Sequence, residues 1–340
     1  MKTAWVLYAE SQPFAYNVAS VRAALERKNF SVSCIDIYDL RVDSNNQIRH
    51  CVTHEIYSPP DLIIPAAGIR VPVLKFELIA QEGYSCLPLL PSYEQEHQFF
   101  MDRSLYLVYK NFHACQSVKI IETWPSFKPH SLVSHILASS KDHAFRMFKE
   151  NNVPCARTLE LPADLNNDVK TMIKLKIGEP FVVKSTDGSN GEGTEYCATV
   201  NDLTDACHRV LAARSLGTLL AQEYIDFSLG MVLTVGVVGD QIFPVARIGT
   251  GGFKSDTREG RIQIAFKPTK ELQQLTVAAR KALNLEYLRF DMMIDEGGIY
   301  KIIEANSPGG MNIVSCTHNR EFAAVVVDHT LKLFEASNAT

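Results

Sequence analysis

The spacing of apolar positions changes several times along the chain. Thr3 to Ala9 is a run of β-branched and aromatic residues, the pattern of a buried strand. From Asn17 to Lys28 the apolar residues Val18, Val21, Ala24 and Leu25 fall on one stripe at helical spacing. "VSCIDI" then reads as a second strand and "PDLIIPAAG" as an apolar run ending in small residues, after which "VPVLKFELIAQEG" resumes helical spacing up to a glycine stop. Strand and helix in alternation predict a small parallel α/β domain. Further on, "SYEQEHQFFMDRSLYLVYKNF" has helical character and "ETWPSFKPH" is broken by prolines, so residues 1–130 read as this domain with a linking region. "KDHAFRMFKENNV" has helix composition with a charged face, ended by Asn151, Asn152 and Pro154. "VNDLTDACHRVLAARSL" is a helix suited to cover one face of a small antiparallel sheet, which places a second module at 131–216 and a third at 217–340.

Composition narrows the functional classes. A chain of 340 residues with 46% hydrophobic residues can hold two or three cores. A formal net charge of -4 argues against nucleic acid as a partner. Eight cysteines lie scattered without a CxxC pair, which suits reduced thiols in the cytoplasm better than a disulfide framework. No stretch approaches the length of a membrane span, and "MKTAWVLYAES" reads as a first strand rather than a signal peptide. His97, His113, His130 and His135 are not spaced as metal ligands and read as core or solvated histidines.

Two stretches carry candidate chemistry. The first is "FDMMIDEGGIYKIIEANSPGGM", where the turn formers Asp295, Glu296, Gly297 and Gly298 separate two apolar runs and predict a β-hairpin. Side chains alternate faces along a strand, so Glu304 and Asn306 share one side and Asp291 on the partner strand converges with them. Two carboxylates and an amide oxygen, with no His or Cys beside them, suit Mg²⁺, with Mn²⁺ as the alternative. The second is "PFVVKSTDGSNGEG", in which an apolar run ends in Lys184 and a loop containing Gly188, Ser189, Gly191 and Gly193 leads to another strand-like run. Glycines let backbone N–H groups approach phosphate oxygens, and the lysine adds positive charge. A Walker loop places its lysine after the glycines and opens a helix, so this loop, joining two strands, reads instead as a phosphate-covering flap.

Together these stretches resemble the ATP-grasp superfamily, in the branch of prokaryotic glutathione synthetase and the ribosomal-protein glutamate ligase. The resemblance runs from about Ser139 to the C-terminus, through "SSKDHAFRMFKENNVPCARTL", "PFVVKSTDGSNGEG", "LAQEYI", "VARIGTGGFKSD", "LRFDMMID" and "IIEANSPGG", in the family's order. It implies an ATP-grasp fold: an N-terminal parallel α/β domain, a small flap-bearing α+β domain and a C-terminal α+β domain. It also implies that Lys141, at the head of its helix, contacts nucleotide phosphates. Gln222, Glu223, Tyr224 and Ile225 would form the hinge that presents backbone groups to adenine, with Ile225 packed on the ring. Arg247 and Lys254 would place positive charge on the transferred phosphate and the substrate. Relatives usually carry an acid that binds ribose and, two positions on, an arginine that binds phosphate. Those places hold Val232 and Thr234 here. Asp226, directly after the hinge, is the expected substitute acceptor for the ribose hydroxyls.

The activity so implied is an ATP-dependent carboxylate-amine ligase that forms an amide through an acyl phosphate and releases ADP and phosphate. Its expected partners are small carboxylate and amine substrates, amino acids or short peptides, with a homo-oligomer allowed and no nucleic acid or membrane. Glutathione synthetase proper and a non-catalytic ATP-binding regulatory protein are the alternatives.

Overall fold

The computed structural model describes residues 1–9, 11–66, 103–186, 193–213, 218–225, 231–248, 262–307 and 311–339. They form two compact units, Met1–Ser139 with Asn284–Tyr287 and Ser307–Thr340, and Ser140–Leu283 with Leu288–Asn306.

The first unit is built on a parallel sheet of β1 (Thr3–Tyr8), β2 (Ser31–Asp36) and β5 (Leu62–Pro65), in the order β2-β1-β5. Helix α1 (Ser11–Glu26) crosses between the first two strands, as the change of period predicts. A short hairpin of β3 (Leu40–Val42) and β4 (Ile48–His50) follows β2. Helices α2 (Arg103–Glu122) and α3 (Leu132–Ala138) come later in the chain. Trp5, Leu7, Ile37, Ile63, Val118 and Ile136 belong to one buried cluster, where the Trp5 ring meets Trp124 edge-on at 5.2 Å. The C-terminal helices α8 (Met311–His318) and α9 (Phe322–Ser337) complete the unit, with Arg27 paired to Glu321, just before α9, and Lys28 to Asp328 of α9. His113, His130 and His135 are buried in this unit; the segment from Val71 to Gly83 and His97 lie outside the described residues.

The second unit holds two sheets. One has four antiparallel strands in the order β6-β9-β7-β8: β6 (Thr158–Leu161), β7 (Phe181–Ser185), β8 (Thr194–Cys197) and β9 (Leu219–Glu223). Helices α5 (Asn167–Lys176) and α6 (Leu203–Ala213) bury Val169, Ile173, Leu203 and Val210 with Phe181, Val183 and Ala221, one alternate set of strand side chains. Lys184 and Gln222 therefore stand on the other face. The second sheet has the order β12-β11-β10-β13-β14: β10 (Met231–Val238), β11 (Gln241–Ile248), β12 (Ile262–Ala265), β13 (Tyr287–Ile294) and β14 (Tyr300–Asn306). Helix α4 (Lys141–Glu150) buries Phe148 against Phe290 of β13, and α7 (Lys270–Ala282), capped by the Thr269 hydroxyl, follows β12. Asn152, in the left-handed conformation at φ 55°, ends the α4 segment where the Asn-Asn-x-Pro pattern predicts. Among the described residues all cysteines are free thiols, and no helix is long and apolar enough to cross a membrane.

Candidate active site

The hairpin expected around the acidic cluster is formed by β13 and β14. Asp295 closes it: its Oδ1 accepts from the N–H groups of Gly297 and Ile299, and Gly298 takes a φ of 77°. The antiparallel register sets Asp291 directly opposite Glu304 and Arg289 opposite Asn306, so all four side chains lie on one face of the sheet. Asn306 Nδ2 donates to Asp291 Oδ2 at 3.3 Å, which brings the three expected metal ligands together and leaves the amide oxygen as an acceptor.

Cations surround this pair of carboxylates. Arg247 on β11 reaches Asp291 Oδ1 at 3.1 Å, and Arg289 reaches Asp291 Oδ2 at 3.3 Å. Lys141, at the first position of α4, pairs with Glu304 at 3.2 Å. Lys184 donates to Gln222 Oε1 at 2.7 Å and lies within electrostatic reach of Glu304, Lys141 and Asp291. Burial pushes the Lys184 ammonium down from its ordinary 10.5 to about 8; Lys141 adds to the shift, and Glu304 and Asp291 oppose it. Burial by itself would raise the Asp291 carboxyl, yet Arg289, Arg247, the Thr234 hydroxyl and Lys184 hold it below the usual carboxylate range. Among the described residues four cations thus face two carboxylates, a surplus of two positive charges in a half-dry site. Arg247 Nε and Arg289 Nε are buried without a hydrogen-bond partner. Such a site is electrostatically incomplete without an anion.

Arg289 was not among the residues singled out from sequence. The signal was available, because a residue two places before Asp291 on a strand must share its face. Thr234 takes on a different meaning. It stands where the resemblance leads one to expect an arginine, and its hydroxyl donates to Asp291 Oδ1 at 2.7 Å. Val232, its neighbour on the same face, lies opposite Arg247 of β11 in the register.

The hinge residues divide between two surroundings. Gln222 links Lys184 to the Thr158 hydroxyl through its amide. Glu223 points the other way: its buried carboxylate accepts from the Arg157 N–H and Nε and from Lys301, which hold it below the usual range against the opposing effect of burial. Tyr224 packs edge-on against Tyr196, and Ile225 is buried. Gly193 lies at the start of the returning strand with a φ of 67°, and its carbonyl accepts from Ser185 N–H. Gly188, Ser189, Gly191, Asp226 and Lys254 lie outside the described residues.

The donor set fits a hard divalent cation. Among the described residues no group of three or more His, Cys, Asp or Glu side chains gathers as a complete metal cage. Asp291, Glu304 and the Asn306 oxygen form a partial, all-oxygen set that leaves room for water and phosphate oxygens, as Mg²⁺ requires.

A family model described as the RimK-like ATP-grasp domain matches residues 138–330, more than half of the chain and all of this constellation. The chain belongs to the RimK-like ATP-grasp family. Its sequence is 28% identical over 159 residues to human N-acetylaspartylglutamate synthase A, covering 46% of this chain and 40% of that protein. It is 24% identical over 168 residues to a probable alpha-L-glutamate ligase of Pseudomonas entomophila (strain L48), covering 49% of this chain and 55% of the relative. The chain therefore spans about half the length of these curated relatives. Among solved structures, the ATP-grasp ligase PsnB complexed with minimal precursor superposes with a TM-score of 0.65 at 15% identity, covering 97% of this chain and 98% of that one. D-alanine–D-alanine ligase of Bacillus anthracis complexed with ATP gives 0.61 at 14% identity over 99% and 100% of the two chains. The ATP-grasp fold inferred from the ordered motifs is the fold of this chain.

Proposed function

We propose that this protein is an ATP-dependent carboxylate-amine ligase. The observation that carries the reading is the surplus of positive charge around Asp291 and Glu304 in a RimK-like ATP-grasp domain. A polyphosphate is the anion best matched to two lysines and two guanidiniums that converge on a pair of carboxylates. Lys141 and Lys184 neutralise the phosphates of bound ATP. Arg247 and Arg289 face the phosphoryl group as it moves to the substrate carboxylate, giving an acyl phosphate whose leaving group an amine can displace. Asp291, Glu304 and Asn306 would hold Mg²⁺ or Mn²⁺, which would supply positive charge to offset that of the phosphates. At the hinge the N–H groups of Glu223 and Tyr224 are committed to Arg157 and Pro180. The Ile225 N–H is assigned as the donor for adenine, and Asp226 is assigned to the ribose hydroxyls in place of the acid replaced by Val232. Lys254 completes the charge on the substrate side, and Gly188, Ser189, Gly191 and Gly193 belong to a flap that excludes water from the acyl phosphate.

The relatives' names make L-glutamate the first amine to test and an N-acylated acidic amino acid or short peptide the first carboxylate. The test is release of phosphate and formation of amide product by the full chain supplied with these compounds and Mg-ATP. Arg289→Ala and Glu304→Ala should each lower the maximal rate by about a hundredfold or more with folding intact, since each removes preorganised stabilisation of developing charge. Wild-type turnover in either variant contradicts the assignment.

A further inference from the structure

Outside the cluster of cations and carboxylates, the second unit carries a groove of about 790 Å³ between α4 and the outer edge of β6. Strand β6 is the terminal strand of its sheet, bonded to β9 on one side only. Glu223 N–H donates to Arg157 O, so the alternation of an antiparallel pair turns the backbone of Leu159 and Leu161 toward β9 and that of Thr158 and Glu160 outward. The edge therefore offers a short ladder of both donors and acceptors, with no proline in the strand and no strand covering it among the described residues. The floor is apolar, built from Phe145, Val153, Ile177 and Leu220.

The rim is cationic. Arg146 and Lys149 of α4, Arg157, and Lys176 at the end of α5 stand against two carboxylates, Asp142 and Glu160. Asp142 is occupied by the Ser140 hydroxyl. Lys149 and Lys176 are exposed and have no ion-pair partner among the described residues, and Arg157, although paired with Glu223, leaves more than half of its side chain in solvent.

We propose that this groove is a docking site for an extended acidic peptide, which adds a strand to β6 and sets its carboxylates against Lys149, Lys176, Arg146 and Arg157. Strand addition uses backbone donors and acceptors that alternate at strand spacing, and a phosphate backbone offers acceptors only, so the edge favours a peptide over a nucleic acid. The floor takes the apolar side chains that alternate with the acidic ones. The site goes beyond the ligase reading and depends on it only for its use, which is to hold an acceptor or product chain near the reaction. Binding itself needs no turnover, so failure of one reading leaves the other standing.

The probe is a fluorescein-labelled alternating Glu-Val peptide of about eight residues, titrated with the full chain at low salt and followed by anisotropy. Saturable binding is expected. The Lys149→Glu, Lys176→Glu double variant should weaken it at least about tenfold, and Lys149→Arg with Lys176→Arg should retain it. The same peptide N-methylated at alternate residues should also bind at least about tenfold more weakly to the unaltered protein, because it has lost ladder donors. The proposal is overturned by absence of saturable binding, by affinity indifferent to both charge reversal and N-methylation, or by a single-stranded oligonucleotide of equal charge that binds as tightly and displaces the peptide.

Discussion

Asp291 is where stability and the proposed chemistry meet. Its carboxylate is buried and takes hydrogen bonds from Thr234, Arg247, Arg289 and Asn306. Asp291→Ala would leave two largely buried guanidiniums without their counter-charge, a loss of about 3–5 kcal/mol that urea denaturation would detect, whereas Asp291→Asn keeps an acceptor and should cost less. Lys184 makes a prediction in pH. Its folded value of about 8 lies below the ordinary 10.5, so the free protein bears a destabilising charge below pH 8 that is relieved as pH rises from 8 to 10.5. Phosphates would hold the same group charged. Above about pH 8 ATP binding should therefore take up a proton, and affinity should fall by up to about tenfold per pH unit, as titration calorimetry in buffers of different ionisation heat would measure; near pH 7 little proton uptake is expected. Lys184→Met should remove this pH dependence and weaken ATP binding while raising stability at pH 7. Among these residues, Asp291, Glu304 and Asn306 were legible because alternation and a glycine turn suffice to place them. Thr234 was not, since a hydroxyl carries no charge pattern and its partner is 57 residues away.

At the scale of elements, the readable ones had strong local punctuation. The β13–β14 hairpin has its Asp-Glu-Gly-Gly turn, the β7–β8 pair its glycine-bearing loop, and α4 its Asn-Asn-x-Pro stop. Helix α5 was missed because only Val169 and Ile173 mark its buried face, although Asn166 caps it with bonds to the N–H groups of Asp168 and Val169. The β3–β4 hairpin was missed because each strand has three residues, too few for a period to show. Gly193 tests the β7–β8 hairpin. A φ of 67° is in the left-handed region, so Gly193→Ala should destabilise by about 1 kcal/mol, seen as a lower Tm, and should weaken ATP binding if that end of the loop faces the phosphates.

For the molecule as a whole, the alternation of strand and helix at the N-terminus and the ordered motifs after Ser139 were enough to reach the ATP-grasp fold. What local patterns do not reveal is the return of the chain's end: α9 packs with α1, and Arg27 and Lys28 just after α1 pair with Glu321, the residue before α9, and with Asp328 of α9, partners separated by about three hundred residues of sequence. Each unit is thus made of discontinuous segments, and the β13–β14 hairpin leads directly into Ser307, where the chain rejoins the first unit. The proposed ligase activates a substrate carboxylate by phosphorylating it. Following oxygen distinguishes this route from others. With ¹⁸O in the carboxylate of an N-acylated acidic amino acid or short peptide acid, L-glutamate as the amine and Mg-ATP, the account predicts that amide formation transfers ¹⁸O to inorganic phosphate, with ADP as the nucleotide product. Amide formed with AMP and pyrophosphate, or phosphate released without the label, would contradict it.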